Sequence, residues 1–599
     1  MLGAVVAGVE QHTGIALGPS AAGSLKPFPR MEGNSLQRRG SGPTEAAVPP
    51  AELVVPELFG AVLEALLDEA TRRRSGAHHT SPAIAAGLVD VVLDDWQDRC
   101  GAGGRLPAAV CDPAVGGGVF LLAAARALVA RGTPPSGVAG SLFGADLDPS
   151  AAVATRAALA LWAGQAGAGA GGDDAGARVV EGDGLHLDPT SWPGGPAGGF
   201  DLVVGNPPFL NQLGRGTART RDEAQRLRAR FGDAAAGYAD AAGLFLVAAC
   251  RLARPGGGVA MIQPESLLGA RDAAGVREAV SAAGSLRALW LAGERVFPAG
   301  VRVCAPVVAV GPPSVGTPSR VRTLSGPGFE DVGPARLPLD APGAARSWAS
   351  VAAAARGTPE VDLAGGTGTV GDLATATAGF RDQFYGLVPH VVEAGAGGRG
   401  DAVRPLVTAG AIDPLHCRWG ERPVRFAGRR WEAPVVDLTS LSADPALSRW
   451  VANRLAPKLL VAGQTRVVEV VVDAAGALVP SVPVIALAAE TDRLWALAAV
   501  LLAPPVTAWA LHRAGGTALA ADAVKLSSRQ VMEVPLPVDR ARWEAVASTL
   551  AAGSEGPPAA FGAAMVEAYG LPAGHPVLAW WLARLVTWRG MPVPRLAPG

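Results

Sequence analysis

Asn206-Pro207-Pro208-Phe209 brings four chemically distinct groups to one corner of the chain. They are an amide side chain, a carbonyl on a proline-pinned residue, a second proline and an aromatic ring. An apolar run, Phe200-Asp201-Leu202-Val203-Val204-Gly205, leads into the corner. Such a set grips a planar, amine-bearing substrate by its edge and its face. An exocyclic ring amine is a poor nucleophile because its lone pair is delocalised. Two acceptors on its hydrogens favour a tetrahedral nitrogen and aim the lone pair at an electrophile. The Asn206 amide oxygen and the Pro207 carbonyl can form that pair, and proline fixes φ and so holds the carbonyl in place. Phe209 is available to stack on the ring. This is catalysis by positioning and electrostatics, with no strong base required. A plain strand-ending turn uses the same residue types, and so short a motif does not separate the two readings.

Three clusters upstream carry further chemistry. Asp112-Pro113-Ala114-Val115-Gly116-Gly117-Gly118-Val119-Phe120 follows an apolar strand and opens an Ala/Leu helix. Glycines there let a ligand approach the backbone closely. The Lys-Ser/Thr of a phosphate loop is absent, so the segment reads as a nucleotide loop of another kind or as a bare glycine turn. The next strand ends in Gly144-Ala145-Asp146-Leu147-Asp148-Pro149, which places a carboxylate where ribose hydroxyls bind. The third ends in Glu181-Gly182-Asp183-Gly184-Leu185, where Asp183 suits an adenine amino group. Either acid alone is as readily an ordinary loop residue. The order is what counts: every motif falls at the carboxyl end of a successive predicted strand, the edge on which open parallel sheets bind ligands.

In this order the motifs resemble those of S-adenosylmethionine-dependent N6-adenine DNA methyltransferases of the gamma arrangement, the restriction-modification type with cofactor loop before catalytic loop. Gly76-Ala77-His78-His79-Thr80-Ser81-Pro82 is similar to that family's glycine–aromatic–Thr-Pro segment, with His79 in place of the usual aromatic and Ser81 inserted before Pro82. Tyr238-Ala239-Asp240, Arg254-Pro255-Gly256-Gly257-Gly258 and Gln263-Pro264-Glu265-Ser266 resemble its late motifs. The resemblance implies S-adenosylmethionine as cofactor and no metal. It places Thr80 against the cofactor, Ala114, Gly116 and Gly118 in the cofactor loop, and Asp112 near the methionine moiety. Asp146 would hold the ribose, and Asp183 and Phe120 would flank the adenine. Asn206, Pro207, Pro208 and Phe209 would be the catalytic set, acting on an adenine flipped out of double-stranded DNA at a cost of a few kcal/mol. Two rivals share the motif or the fold: a protein glutamine or RNA amino-methyltransferase, and a non-catalytic DNA-specificity subunit. A long C-terminal extension argues against the first, which is usually compact. Intact Asp146, Asp183 and Asn206 argue against the second.

The elements that must position these residues follow from apolar periodicity. Leu58, Val62, Leu63, Leu66 and Leu67 recur at helical spacing, and a second helix is expected from about Pro82 with Thr80 or Ser81 as its cap. Apolar runs at 108–111, 141–145, 178–181, 202–204, 258–262, 288–291 and 306–310 alternate with helical stretches. That pattern predicts an α/β class fold, a Rossmann-like methyltransferase domain on a parallel sheet. The domains expected are a disordered segment at 1–50, a catalytic domain at 51–310, a Pro/Gly-rich linker at 311–344 and a mixed α/β target-recognition domain at 345–599.

The 599 residues include 52 basic and 53 acidic side chains, a net charge of -1, so any surface for nucleic acid must be local. Lysine occurs only at Lys26, Lys458 and Lys525; the remaining cations are arginines. Two basic stretches stand out: Arg215 to Arg230, and Arg418, Arg422, Arg425, Arg429 and Arg430 interleaved with Trp419 and Trp431. Each reads as a phosphate-contacting surface or as an ordinary solvated face. Lys458, Arg466 and Asp473 are further cues to a recognition domain. Five cysteines without metal-ligand spacing suit a reducing cytoplasm. No apolar run reads as a membrane span; 484–510 comes nearest and is interrupted by Glu490, Asp492 and Arg493. The stretch ahead of the catalytic domain is too short for a nuclease, so the expected partners are double-stranded DNA and a separate restriction nuclease or defence subunit.

Overall fold

The computed structural model describes residues 5–6, 9–11, 55–66, 80–101, 104–168, 178–210, 219–293, 296, 301–312, 319–337, 347–366, 368–379, 381–395, 402–516, 518, 520, 522–553 and 556–593. His78, His79, Arg215 and most of 1–50 lie outside them. The chain forms two compact units, residues 1–351 and 352–599.

The first unit is built on a ten-stranded sheet. In chain order its elements are α1 (Leu58–Leu66), α2 (Pro82–Cys100), β1 (Val110–Asp112), α3 (Val119–Ala130), β2 (Leu142–Asp146), α4 (Pro149–Gln165), β3 (Val179–Glu181) and β4 (Phe200–Gly205). Then come α5 (Arg221–Phe231), α6 (Ala241–Leu252), β5 (Ala253–Met261), β6 (Gln263–Pro264), α7 (Ala274–Ala283), β7 (Gly284–Leu291), β8 (Val303–Val310), β9 (Ser319–Ser325) and β10 (Glu330–Leu337). The spatial order is β10-β9-β7-β8-β5-β4-β1-β2-β3, with β6 beside β8. β1 is parallel to both β2 and β4, with Val110 opposite Leu142 on one side and Leu202 on the other. The order therefore reverses at β1, and the connections leaving β1 and β4 diverge to open a crevice.

Burial on both faces accounts for the continuous apolar strands. Leu202, Val204, Ala260 and Trp290 share a core with α2, α3 and α4. The alternate residues Cys111, Val203 and Val259 are buried too, and α6 lies against β4 and β5.

The sheet departs from expectation in three places. It is mixed, because β8 runs antiparallel between β5 and β7; a run buried on both faces does not encode its own direction. Residues 311–344 are not a plain linker: β9 pairs parallel with β7, and β10 pairs antiparallel with β9. Gly326, Pro327 and Gly328 sit in the turn, and Gly333 and Pro334 at a bulge after Asp331. Phe329 in that turn stacks on Trp290 at 4.9 Å, and a side chain at Gly87 of α2 would overlap its ring. Finally, the five described residues of 1–50, 5–6 and 9–11, are helical, and Val6 and Val9 are buried in the core.

The second unit is mixed α/β. One antiparallel sheet joins Ala374–Ala378, Ile485–Ala489, Lys458–Val461 and Val470–Asp473; a second joins Val391–Glu393, Pro434–Asp437, Val403–Val407 and Val479–Pro480. Leu494–Leu502 and Pro504–Ala514 are central to its helical core. Among the described residues no single helix is long and apolar enough to cross a membrane, and the pair 491–502 and 504–514 is bent by 64°.

Candidate active site

The loop after β1 is shaped by glycine. Gly116 and Gly118 take positive φ, 51° and 84°, a region that costs an L side chain energy. Gly118 sits at the N-cap of α3. Gly117 meets α1: a Cβ there would lie 2.5 Å from the Gly60 Cα. Two facing glycines thus let α1 rest directly on the loop. The loop is pinned at Gly116, whose N–H donates to Asp146 Oδ2 at 2.8 Å and whose carbonyl accepts from Thr155 Oγ1 at 2.8 Å. The Asp148 N–H donates to the other Asp146 oxygen at 2.9 Å. Two carboxylate oxygens with about four acceptor sites exceed these N–H donors, so acceptor capacity remains for an incoming hydroxyl. Burial raises the Asp146 carboxyl above its ordinary range, and these N–H groups oppose the shift.

Asp112 ends β1 and is 1% exposed. Its Oδ1 accepts from the Ala114 N–H at 3.0 Å. Burial pushes this carboxyl up to about 8; the Ala114 bond opposes the rise and the charge of Asp146 adds to it. Across the switch point Gly205 ends β4, and a Cβ there would stand 2.5 Å from Asp112 Oδ1. Glycine at 205 is therefore what lets β4 deliver Asn206 beside the Asp112 carboxyl.

Asn206 is half-buried, and its Nδ2 donates to Thr80 Oγ1 at 2.9 Å. Thr80, just ahead of α2, is 3% exposed. Ser81 occupies the N-cap without a side-chain capping bond, and Pro82 opens the helix. With Nδ2 held by Thr80, Oδ1 is the acceptor half of the amide. Pro207 is buried, and Phe209 is half-buried against the core instead of standing out as an exposed ring. The end of the motif is tied down: the Leu210 N–H donates to Asp240 Oδ1 at 3.1 Å, and the Leu210 carbonyl accepts from the Ala241 N–H at 3.4 Å.

Thr80, Asp112, Ala114, Gly116, Phe120 and Asn206 line one cavity of about 160 Å³. Phe120 is 1% exposed, so its ring is largely core. Gly118, Asp146 and Asp183 are not in that lining. Asp183 nevertheless sits on the same edge, because Gly184 abuts the Pro113 carbonyl so closely that a Cβ would overlap it. Asp183 Oδ1 accepts from the Leu185 N–H at 3.0 Å. Several contributors escape sequence reading. Glu57, Gly60 and Ala61 wall the cavity from 57–61, with Glu57 paired to Arg126, which lowers its carboxyl. Leu147 is 74% exposed beside Asp146. Among these only the facing glycine in an apolar helix left a signal in the sequence.

The basic stretches resolve differently. α5 buries Leu227 and Phe231 and exposes Arg221, Arg226 and Arg228. Arg418 and Arg422 are held by Asp413 at 2.5 and 3.2 Å. Lys458 is 3% exposed and paired with Asp473, which also caps the Ala477 and Leu478 N–H groups. Lys458 and Asp473 are therefore internal: a strand-to-strand pairing places both side chains inside. Arg466 pairs with Asp522 at 3.0 Å. Among the described residues no group of three or more His, Cys, Asp or Glu side chains is arranged to hold a metal.

Comparison with known proteins fits this geometry. Residues 141–297 match the Eco57I restriction-modification methylase family. No curated protein sequence matches the chain. Among solved structures, the Type IIL restriction-modification enzyme MmeI in complex with DNA aligns with a TM-score of 0.57 at 14% identity, over 89% of this chain and 79% of that one. A DrdV–DNA complex aligns at 0.52 and 13% identity, over 84% of this chain and 60% of that one. A nuclease-deletion mutant of the Type ISP restriction-modification enzyme LlaGI, in complex with a DNA substrate mimic, aligns at 0.50 and 10% identity, over 80% of this chain and 47% of that one. At these identities the likeness is one of fold: a mixed α/β architecture shared with restriction-modification enzymes.

Proposed function

We propose that the chain is a site-specific DNA methyltransferase that moves a methyl group from S-adenosylmethionine to adenine N6, with the second unit selecting the sequence. The observation that carries this reading is the meeting of Asn206, Thr80 and Asp112 in one cavity at the sheet's switch point, within a unit whose residues 141–297 match a restriction-modification methylase family.

The donor set suits S-adenosylmethionine. The cavity offers a buried carboxyl and closely approachable backbone for a cationic methionine end. The edge beyond it offers Asp146 for vicinal hydroxyls, exposed Leu147 as an apolar face and Asp183 as an acceptor. When bound, the cofactor supplies an electrophilic methyl group.

The chain's own residues do the rest. Asn206 Oδ1 and the Pro207 carbonyl accept the two amine hydrogens and direct the nitrogen lone pair. Thr80 engages the Nδ2 end of that amide and so supports its position. Phe209 and Pro208 hold the base, offsetting part of the few kcal/mol that flipping costs. The exposed arginines of α5 lie in the same unit and suit phosphates. The enzyme would act in the cytoplasm beside a separate restriction nuclease or defence partner.

The test is incubation of the full chain with duplex DNA and methyl-labelled cofactor, followed by nucleoside mass spectrometry and long-read mapping. N6-methyladenine in a defined motif is expected, with Asn206→Ala inactive but still binding cofactor. N4-methylcytosine would reassign the acceptor. Label in protein or RNA but not DNA would sink the reading.

A further inference from the structure

Within the second unit, Val424–Phe426 and Arg429–Trp431 form a two-stranded hairpin. Its two-residue loop, Ala427-Gly428, has φ of 49° and 77°. Two left-handed residues make the tight loop whose twist matches that of the strands, so the hairpin is stiff. Val424, Phe426 and Trp431 are buried in the core of this unit and anchor one face. The Trp431 indole N–H also donates to the Phe426 carbonyl at 3.2 Å.

The other face is electrostatically costly. Arg425 stands directly opposite Arg430, and like charges facing across two strands destabilise the pairing. Both are exposed. Arg429 pairs with Phe426 and so lies on the anchored face; it is exposed as well, with its guanidinium 4.5 Å from the centre of the Trp431 ring. Among the described residues, the one carboxylate within ion-pair reach of these three is Glu432, 3.6 Å from Arg430, with both side chains over 70% exposed. Such a pair contributes little. The neighbouring cations are used differently: Asp413 holds Arg418 and Arg422. Two guanidiniums, Arg425 and Arg430, are thus displayed side by side on an anchored stalk, while Arg418 and Arg422 nearby are neutralised.

We infer that this hairpin is a clamp for the phosphate backbone of duplex DNA, an assignment that rests on the DNA-methyltransferase reading above. Guanidinium forks match phosphate oxygens geometrically. Anions between Arg425 and Arg430 would relieve their repulsion, so the strain in the free protein becomes attraction in the complex. The tip carries only Ala427 and Gly428, which offer no side-chain donor or acceptor to a base edge. The contact therefore positions the duplex without reading it.

The experiment uses the full chain, two duplexes of unrelated sequence and a salt series read by fluorescence anisotropy. Each phosphate contact contributes about 0.9 to the slope of log affinity against log salt. The double variant R425A/R430A should flatten that slope by about 2 on both duplexes, R430A by about 1, and R425K/R430K should keep it. Melting temperatures no lower than wild type confirm that these exposed substitutions leave the fold intact. An unchanged slope in R425A/R430A overturns the clamp. A loss confined to one sequence overturns the phosphate assignment in favour of base reading. Wild-type chain that binds neither duplex sinks the DNA reading itself, whereas wild-type methylation with an unchanged slope sinks the hairpin alone.

Discussion

Thr80 and Asn206 show how much of this site depends on one hydrogen bond. The amide of Asn206 presents an oxygen or an NH₂ according to its rotation, and only the oxygen can accept an amine hydrogen. Thr80 Oγ1, 2.9 Å from Nδ2, is a partner in the rotation that leaves Oδ1 as the acceptor half. Thr80→Val keeps shape and removes the acceptor. A hydrogen bond contributes about 0.5–1.5 kcal/mol, so kcat should fall roughly threefold to tenfold while cofactor affinity moves less. Thr80→Ser should restore turnover. A steady-state comparison of kcat with calorimetric cofactor affinity checks it, and an affinity loss equal to the rate loss would make Thr80 a cofactor contact only. Residue types dictated by backbone geometry were legible in the sequence: Gly116, Gly118, Asp112 and Asn206 announce themselves because turns and strand ends restrict them. Thr155 does not, since a helix-borne threonine pinning a distant carbonyl looks like any other threonine.

At the scale of elements, the approach of α1 to the glycine loop sets one wall of the cavity. Gly117 has ordinary φ, so Ala is tolerated by its backbone; the obstacle is Gly60, whose Cα would lie 2.5 Å from the new Cβ. Gly117→Ala should therefore push α1 outward and weaken S-adenosylmethionine binding by about tenfold, roughly 1.4 kcal/mol. Gly60→Ala, whose Cβ would meet the Gly117 carbonyl at 3.3 Å, should act in the same direction and less strongly. Titration calorimetry on both variants decides it, and unchanged affinity in Gly117→Ala would remove α1 from the site. Strand positions were readable because an apolar run has to be buried; β4, for example, falls on Phe200–Gly205 around the expected 202–204. The antiparallel course of β8 was not readable, and β9 and β10 were masked by Gly326, Gly328, Gly333 and Pro334, which belong to a turn and a bulge.

For the molecule as a whole, each unit has its own apolar core, and on the proposed function a chain of net charge -1 would need local arginine displays to meet a polyanion. Sequence could count those arginines but not sort them, because whether a guanidinium is displayed or consumed depends on carboxylates such as Asp413 that fold in from elsewhere. One buried group links the protein to its surroundings differently. The Asp112 carboxyl ordinarily titrates at 3.8 and is held protonated to about 8. A cationic ligand entering beside it favours the carboxylate. Capture of such a ligand at neutral pH should then expel a proton to solvent, and the ligand should bind more tightly as pH rises towards 8. The heat of binding would depend on the buffer that absorbs the proton, differing between phosphate and Tris by the difference in their ionisation enthalpies. In Asp112→Asn the two buffers should give the same heat. Cofactor loading, on this view, is an acid-releasing reaction whose strength the cell sets through its internal pH.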